Sequence, residues 1–114
     1  MKIVFVNLSP GAQKVGIVFD RLPALIGRGT RADIRLPDCW ASRIHCEIIA
    51  IDGTLVVRDL ESRNGTLVNG EQVTEALLLP DDRLTVGITR LQVKYQRARV
   101  EAPAAIQGDL VATR

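Results

Sequence analysis

The sequence predicts an all-β domain, a sandwich or barrel of short strands. Three observations predict it. Ile, Val and Leu supply 35 of the 114 residues, and 22 of these are β-branched Val or Ile, side chains that suit a pleated, half-buried surface. Gly, Pro, Asn or Asp interrupts the apolar segments at short intervals, as turns require. The segments also alternate: Leu91, Val93 and Tyr95 fall on one face, Arg90, Gln92 and Lys94 on the other, which is the period of a strand with one buried side.

In chain order the strands are expected at Lys2–Leu8, Val15–Phe19, Ala24–Gly27, Ile34–Leu36, Ile44–Ile51, Thr54–Leu60, Thr66–Val68, Glu71–Val73, Leu84–Val86 and Leu91–Tyr95. The first is an apolar run bounded by Ser9-Pro10-Gly11, and the fourth stops at Pro37. Asp52-Gly53 and Asn69-Gly70 each separate two candidate strands and are hairpin signals, because a type I′ turn needs positive φ at both central positions. Leu84, Val86 and Ile88 alternate in one phase and Leu91, Val93 and Tyr95 in the other, so a turn belongs near Gly87–Arg90. From about Arg97 the composition shifts to Ala, Pro and Gln with scattered charge. Residues 1–97 therefore read as one domain and 98–114 as a flexible C-terminal tail.

Composition excludes several classes. With 46% apolar residues the chain can bury a core and is not disordered. A net charge of +2, from fifteen basic and thirteen acidic residues, is too balanced for a general nucleic-acid or membrane binder. Twelve of the fifteen bases are Arg, whose planar fork suits phosphate and carboxylate. The apolar N-terminal run is too short for a secretory signal or a membrane span. Two cysteines cannot make a disulfide framework, and Cys39, His45 and Cys46 lack both a CxxC pair and a fourth ligand for zinc. Reduced thiols in a cytoplasmic protein, with no metal and no cofactor, are the expectation.

The chemistry concentrates between Gly27 and Gly70, in three polar loops separated by apolar strands. They are Gly27-Arg28-Gly29-Thr30-Arg31-Ala32-Asp33, Pro37-Asp38-Cys39-Trp40-Ala41-Ser42-Arg43-Ile44-His45, and Asp59-Leu60-Glu61-Ser62-Arg63-Asn64-Gly65-Thr66. Each combines Arg with small hydrogen-bonding residues, the mixture of charge, hydroxyl and backbone N–H that holds a phosphate.

The order and spacing of these segments, continued by Leu67-Val68-Asn69-Gly70 and by Asp82-Arg83-Leu84-Thr85-Val86-Gly87, resemble the forkhead-associated (FHA) domain family over roughly residues 2–96. The resemblance implies a sandwich of two antiparallel sheets with binding loops at one end, and a domain that recognises phosphothreonine in a partner's peptide. Carried over by position, it implies that Arg28 and Ser42 contact phosphate, that Asn64 holds the ligand's backbone, and that Gly27 and His45 support the loops. The residue chemistry agrees. Arg28 can make charge-assisted hydrogen bonds, Ser42 can donate its hydroxyl proton, and Asn64 can donate and accept along an extended main chain. Gly29 and Arg43 are expected to add backbone donors, and Gly65 to take positive φ and orient Asn64.

The chain departs from the family pattern at named places. Arg63 stands where several members have Ser or Thr. It reads as a second phosphate cation, as a reader of an acidic ligand residue a few positions downstream, or as a surface Arg paired with Glu61. Trp40, the only Trp, is either an exposed wall for the ligand's flanking side chains or a ring folded over the loop base. Ala41 replaces a larger aliphatic residue, and Asp81 replaces a turn Gly. Arg31 and Arg35 flank Asp33 and suggest solvated pairing. Six Arg face six acids between 28 and 63, a balance that argues against nucleic acid.

The expected function is reversible, non-catalytic recognition of a threonine-phosphorylated protein downstream of a Ser/Thr protein kinase, with no nucleic-acid or membrane partner. Met1 suits a natural N-terminus, and the chain is either an adaptor or part of a larger protein. The alternatives are a phospho-independent scaffold that keeps the fold, an enzyme using Cys39 and His45, which lacks an orienting third group, and self-recognition through a phosphorylated Thr113.

Overall fold

The computed structural model describes residues 2–10 and 16–97. Val15 and the expected tail 98–114, Thr113 included, lie outside the described residues. Among the described residues eleven strands are present: β1 Ile3–Asn7, β2 Gly16–Phe19, β3 Ala24–Gly27, β4 Ile34–Arg35, β5 Cys46–Ile51, β6 Thr54–Asp59, β7 Thr66–Val68, β8 Glu71–Val73, β9 Glu75–Leu78, β10 Arg83–Val86 and β11 Thr89–Lys94. Six form one sheet in the order β2-β1-β11-β10-β7-β8, and five form the other in the order β4-β3-β5-β6-β9. The architecture is all-β, with the sheets face to face. Among the described residues no helix is long and apolar enough to cross a membrane.

Alternation fixes which side chains face inward. Ile3 and Phe5 of β1, Leu84 and Val86 of β10, and Leu91 and Val93 of β11 are buried, as are Ala24 and Ile26 of β3, Cys46 and Ile48 of β5, Leu55 and Val57 of β6, and Leu78 of β9. Each such large side chain contributes about 1.5–3 kcal/mol by leaving water. The Tyr95 hydroxyl joins the end of β11 to the other sheet, donating to the Leu78 carbonyl and accepting the Leu55 N–H at 3.2 Å. Cys46 sits in this core, and burial, with the charge of Asp59 nearby, pushes its thiol pKa up to about 12. It is an inert thiol.

Two expectations need correction. The five-stranded sheet is mixed, because β3 and β4 pair in parallel, Ile26 opposite Ile34 and Gly27 opposite Arg35. Parallel neighbours normally need a long crossover. Here β4 is only two residues at the sheet edge, and the loop turns back tightly, with Asp33 N–H donating to the Leu25 carbonyl at 2.8 Å. The second is β9, which was not expected as a strand. It pairs antiparallel with β6, Leu55 opposite Leu78. Its Glu-Ala-Leu-Leu sequence favours helix by propensity, and pairing with an already buried strand overrides it.

The hairpins form as the sequence predicts. Asp52 and Gly53 have φ of 52° and 77°, Asn69 and Gly70 of 51° and 87°. The turn at Gly87-Ile88 joins β10 to β11 with Val86 opposite Thr89 and resolves the phase change. The strand directions gather the loops 28–33, 36–45, 60–65 and 87–88 at one end and leave the Asp-Gly and Asn-Gly hairpins at the other.

Candidate functional site

The loop end opens into a cavity of about 710 Å³ whose walls include Arg28, Cys39, Trp40, Ser42, Arg43, Arg63 and Asn64. The three polar loops therefore converge. What holds them is a ladder of backbone bonds. Arg28 N–H donates to the Ser42 carbonyl and Gly29 N–H to the Arg43 carbonyl, each at 3.0 Å. This approach leaves no room for a side chain at position 27, where a Cβ would collide with the Arg43 carbonyl and lie 2.8 Å from the Ser42 oxygen. Gly27 is thus required by packing. The same ladder corrects one expectation: the Gly29 N–H is already donated within the protein and is not a free donor for a ligand.

Arg28 is exposed, and its Nε–H donates to the Ala41 carbonyl at 2.9 Å. One edge of the guanidinium is held by the backbone, and the terminal amino groups stay available for an oxyanion. Ser42 Oγ accepts the Arg63 N–H at 2.9 Å. A hydroxyl that accepts there keeps its own proton to donate. Asn64 Nδ2 donates to the Trp40 carbonyl at 2.7 Å, which orients the amide across the cavity mouth and leaves Oδ1 without a protein donor among the described residues.

His45 is fully buried and links two of the loops. Ser42 N–H donates to Nδ1 at 3.0 Å, so the ring proton resides on Nε2, which donates to the Gly65 carbonyl at 2.8 Å. Both ring nitrogens are used internally, so His45 is a strut and has no free edge for catalysis. Gly65 has the expected positive φ, 85°. Asp59 anchors the third loop by accepting from the Ser62 N–H and hydroxyl and from the Thr66 hydroxyl. Burial alone raises its pKa, but these hydrogen bonds outweigh it and hold the carboxyl below its ordinary value.

Trp40 is 56% exposed, which favours the wall over the folded ring. Arg63 makes no ion pair with Glu61 among the described residues, and Cys39 is exposed on the cavity rim. No group of three His, Cys, Asp or Glu side chains converges as metal ligands among those residues.

Two contributors are invisible in local sequence. Asp38 is buried, and its carboxylate accepts the Trp40 N–H at 2.9 Å, the Ile88 N–H at 2.9 Å and the Thr89 hydroxyl at 2.6 Å. Burial acts to raise its pKa. The bonds from Thr89, Trp40 and Ile88 prevail and lower it. Asp38 thereby rivets the Trp40 loop to a hairpin fifty residues away, whose Ile88 is 68% exposed. Arg35 was expected to pair with Asp33. Its Nε–H instead donates to the Arg28 carbonyl at 3.0 Å, and Asp33 accepts the Leu25 N–H.

Comparison with known proteins places this geometry. The family model for the FHA domain matches residues 24–87, more than half of the chain. The ABC transporter ATP-binding/permease protein Rv1747 of Mycobacterium tuberculosis is 44% identical over 62 residues, 54% of this chain and 7% of that protein. An oxoglutarate dehydrogenase inhibitor of Corynebacterium diphtheriae is 34% identical over 88 residues, 77% of this chain and 57% of its own length. The chain thus spans between a small fraction and just over half of these relatives. A solved FHA domain, described for phosphothreonine-dependent interactions, superposes with a TM-score of 0.75 at 29% identity, covering 84% of this chain and 98% of that one. The chain belongs to the FHA domain family.

Proposed function

We propose that this chain is a phosphothreonine-peptide-binding module that acts as a reversible adaptor in signalling. The observation that carries this reading is the set of unspent groups around one cavity. They are an Arg28 guanidinium anchored through Nε, a Ser42 hydroxyl whose oxygen is occupied and whose proton is free, and an Asn64 amide fixed across the mouth. A dianionic phosphate satisfies Arg28 and Ser42 together, and Asn64 then clamps the adjacent main chain without reading side chains. Arg43 and Arg63 line the same cavity and add positive charge. Without phosphate the charge attraction to Arg28 is missing, so binding switches with a Ser/Thr kinase upstream. The module works by binding and carries out no reaction, in the cytoplasm where such kinases act.

The test is a titration of the full chain with a degenerate phosphothreonine peptide pool, its unphosphorylated counterpart, and the Arg28→Ala variant. Phosphate-dependent binding that disappears in Arg28→Ala supports the reading. Binding indifferent to both phosphate and Arg28 overturns it in favour of the phospho-independent scaffold.

A further inference from the structure

The near-equality of basic and acidic residues hides an uneven distribution. Arg28, Arg31, Arg35, Arg43 and Arg63 lie at the loop end, and none makes an ion pair among the described residues. Three of the acids beside them in sequence accept hydrogen bonds within the loops, and Glu61 stays exposed. Asp33 takes the Leu25 N–H, Asp38 takes Trp40, Ile88 and Thr89, and Asp59 takes Ser62 and Thr66. Asp38 and Asp59 turn into the loops, and the five arginines are left without an ion pair among the described residues.

Arg35 is the arginine placed to use this. Its Nε–H is held by the Arg28 carbonyl at 3.0 Å, so the guanidinium is pinned beside the site and its outer amino groups have no carboxylate partner among the described residues. A groove of about 540 Å³ runs there, lined by Arg28, Arg35, Leu36, Pro37, Asp38 and Cys39. It shares Arg28 and Cys39 with the first cavity, so one extended peptide can cross from one to the other. Asp38 is 6% exposed and its carboxylate is turned onto the Ile88 hairpin, which leaves Arg35 as the charge a ligand meets.

We infer that this groove binds a second anion of the same ligand, a carboxylate or a phosphate on a residue flanking the phosphothreonine, and that Arg35 selects for it. The inference rests on the phosphothreonine reading. A guanidinium fork pinned at one edge loses little further freedom on pairing with a carboxylate or phosphate, whereas a lysine would be a mobile point charge.

The experiment uses the full chain and three sets of peptides. One is a phosphothreonine peptide with neutral flanks, the second replaces each flanking position in turn by Asp, and the third by a second phosphothreonine. Each is titrated against the native protein, Arg35→Gln and Arg35→Lys. The expected result is a gain of about fivefold in affinity at one or two adjacent flanking positions. That gain vanishes in Arg35→Gln and is partly kept in Arg35→Lys, while the neutral-flank peptide changes by less than about twofold in either. A gain confined to the second phosphothreonine identifies a doubly phosphorylated ligand, and a gain with Asp as well identifies an acidic motif. A gain equal in native and Arg35→Gln overturns the inference, as does no gain at any position. An equal loss for neutral and acidic peptides in Arg35→Gln also overturns it, because Arg35 would then act only through the Arg28 carbonyl. Failure of the neutral-flank peptide to bind the native protein at all removes the phosphothreonine reading itself.

Discussion

The two ends of the sandwich treat their charges differently. Away from the loops two ion pairs form among the described residues: Arg58 with Glu75 at 3.1 Å on the outer face, and Lys94 with Asp81 at 2.6 Å. At the loop end no such pair forms among the described residues. The carboxylates of Asp38 and Asp59 are instead folded into the loops as acceptors for backbone and hydroxyl donors. The matched pairs are half exposed and contribute little to stability, because water screens them. The inward acids hold loop geometry, and the loop arginines face solvent without an ion pair among the described residues. A binding end is made by where the acids go as much as by where the arginines are.

The largest expected effect breaks this contrast at its centre. Arg28→Ala is expected to weaken phosphothreonine-peptide binding about thirtyfold or more, since charge-assisted hydrogen bonds are worth about 1.5–3 kcal/mol each. Arg58→Ala, at a matched pair, should change it less than about twofold. Calorimetric titration of both variants against one peptide measures the ratio.

Asp38→Ala should come next. It orphans the N–H groups of Trp40 and Ile88 and the Thr89 hydroxyl, and is expected to cost about 1–3 kcal/mol of unfolding free energy. Glu75→Ala should cost under about 0.5 kcal/mol. Chemical denaturation compares them, and equal losses would mean that the inward acid does no more than an exposed pair.

Acidification should separate the two kinds of carboxylate. Asp38 and Asp59 have pKa values lowered in the folded protein from an ordinary 3.8. Folding therefore favours their charged forms. The stabilisation is complete above the unfolded value and is lost as pH falls through the folded ones, because the unfolded chain takes up protons first. Denaturation midpoints should be flat from about pH 7 to about pH 5 and fall below about pH 4. In Asp38→Asn the fall should be shallower.

The smallest effect lies at the opposite end. Asp81 has φ of 74°, a conformation that costs an ordinary side chain about 1 kcal/mol and glycine almost nothing. Asp81→Gly also gives up the exposed Lys94 pair, so a net gain of about 0.5 kcal/mol is expected. Thermal melting should show a slightly raised midpoint, with peptide affinity unchanged.

Much of this was legible in the chain. β-branched residues, the Asp52-Gly53 and Asn69-Gly70 turns and the phase change before Leu91 are local signals, and each forms as read. The three Arg-bearing loops do converge, because the strands between them are short and antiparallel hairpins return the chain to the same end. β9 was not legible, since Glu75–Leu78 favours helix until β6 offers it a partner. Nor was Asp38, whose partners Ile88 and Thr89 stand 50 and 51 residues later. The spent Gly29 N–H is not legible for the same reason: only the approach of the Arg43 carbonyl takes it up.

The sequence by itself determined the strand pattern, the turns and the residue types gathered for an oxyanion, because side-chain period and turn chemistry are properties of neighbouring residues. The tertiary structure alone decided which acids point inward, which arginines remain uncompensated, that Trp40 stands in solvent and that Arg35 is pinned behind Arg28. Those outcomes depend on hydrogen bonds between segments distant in the chain, and no local pattern encodes whether a carboxylate will meet an arginine or a backbone N–H first.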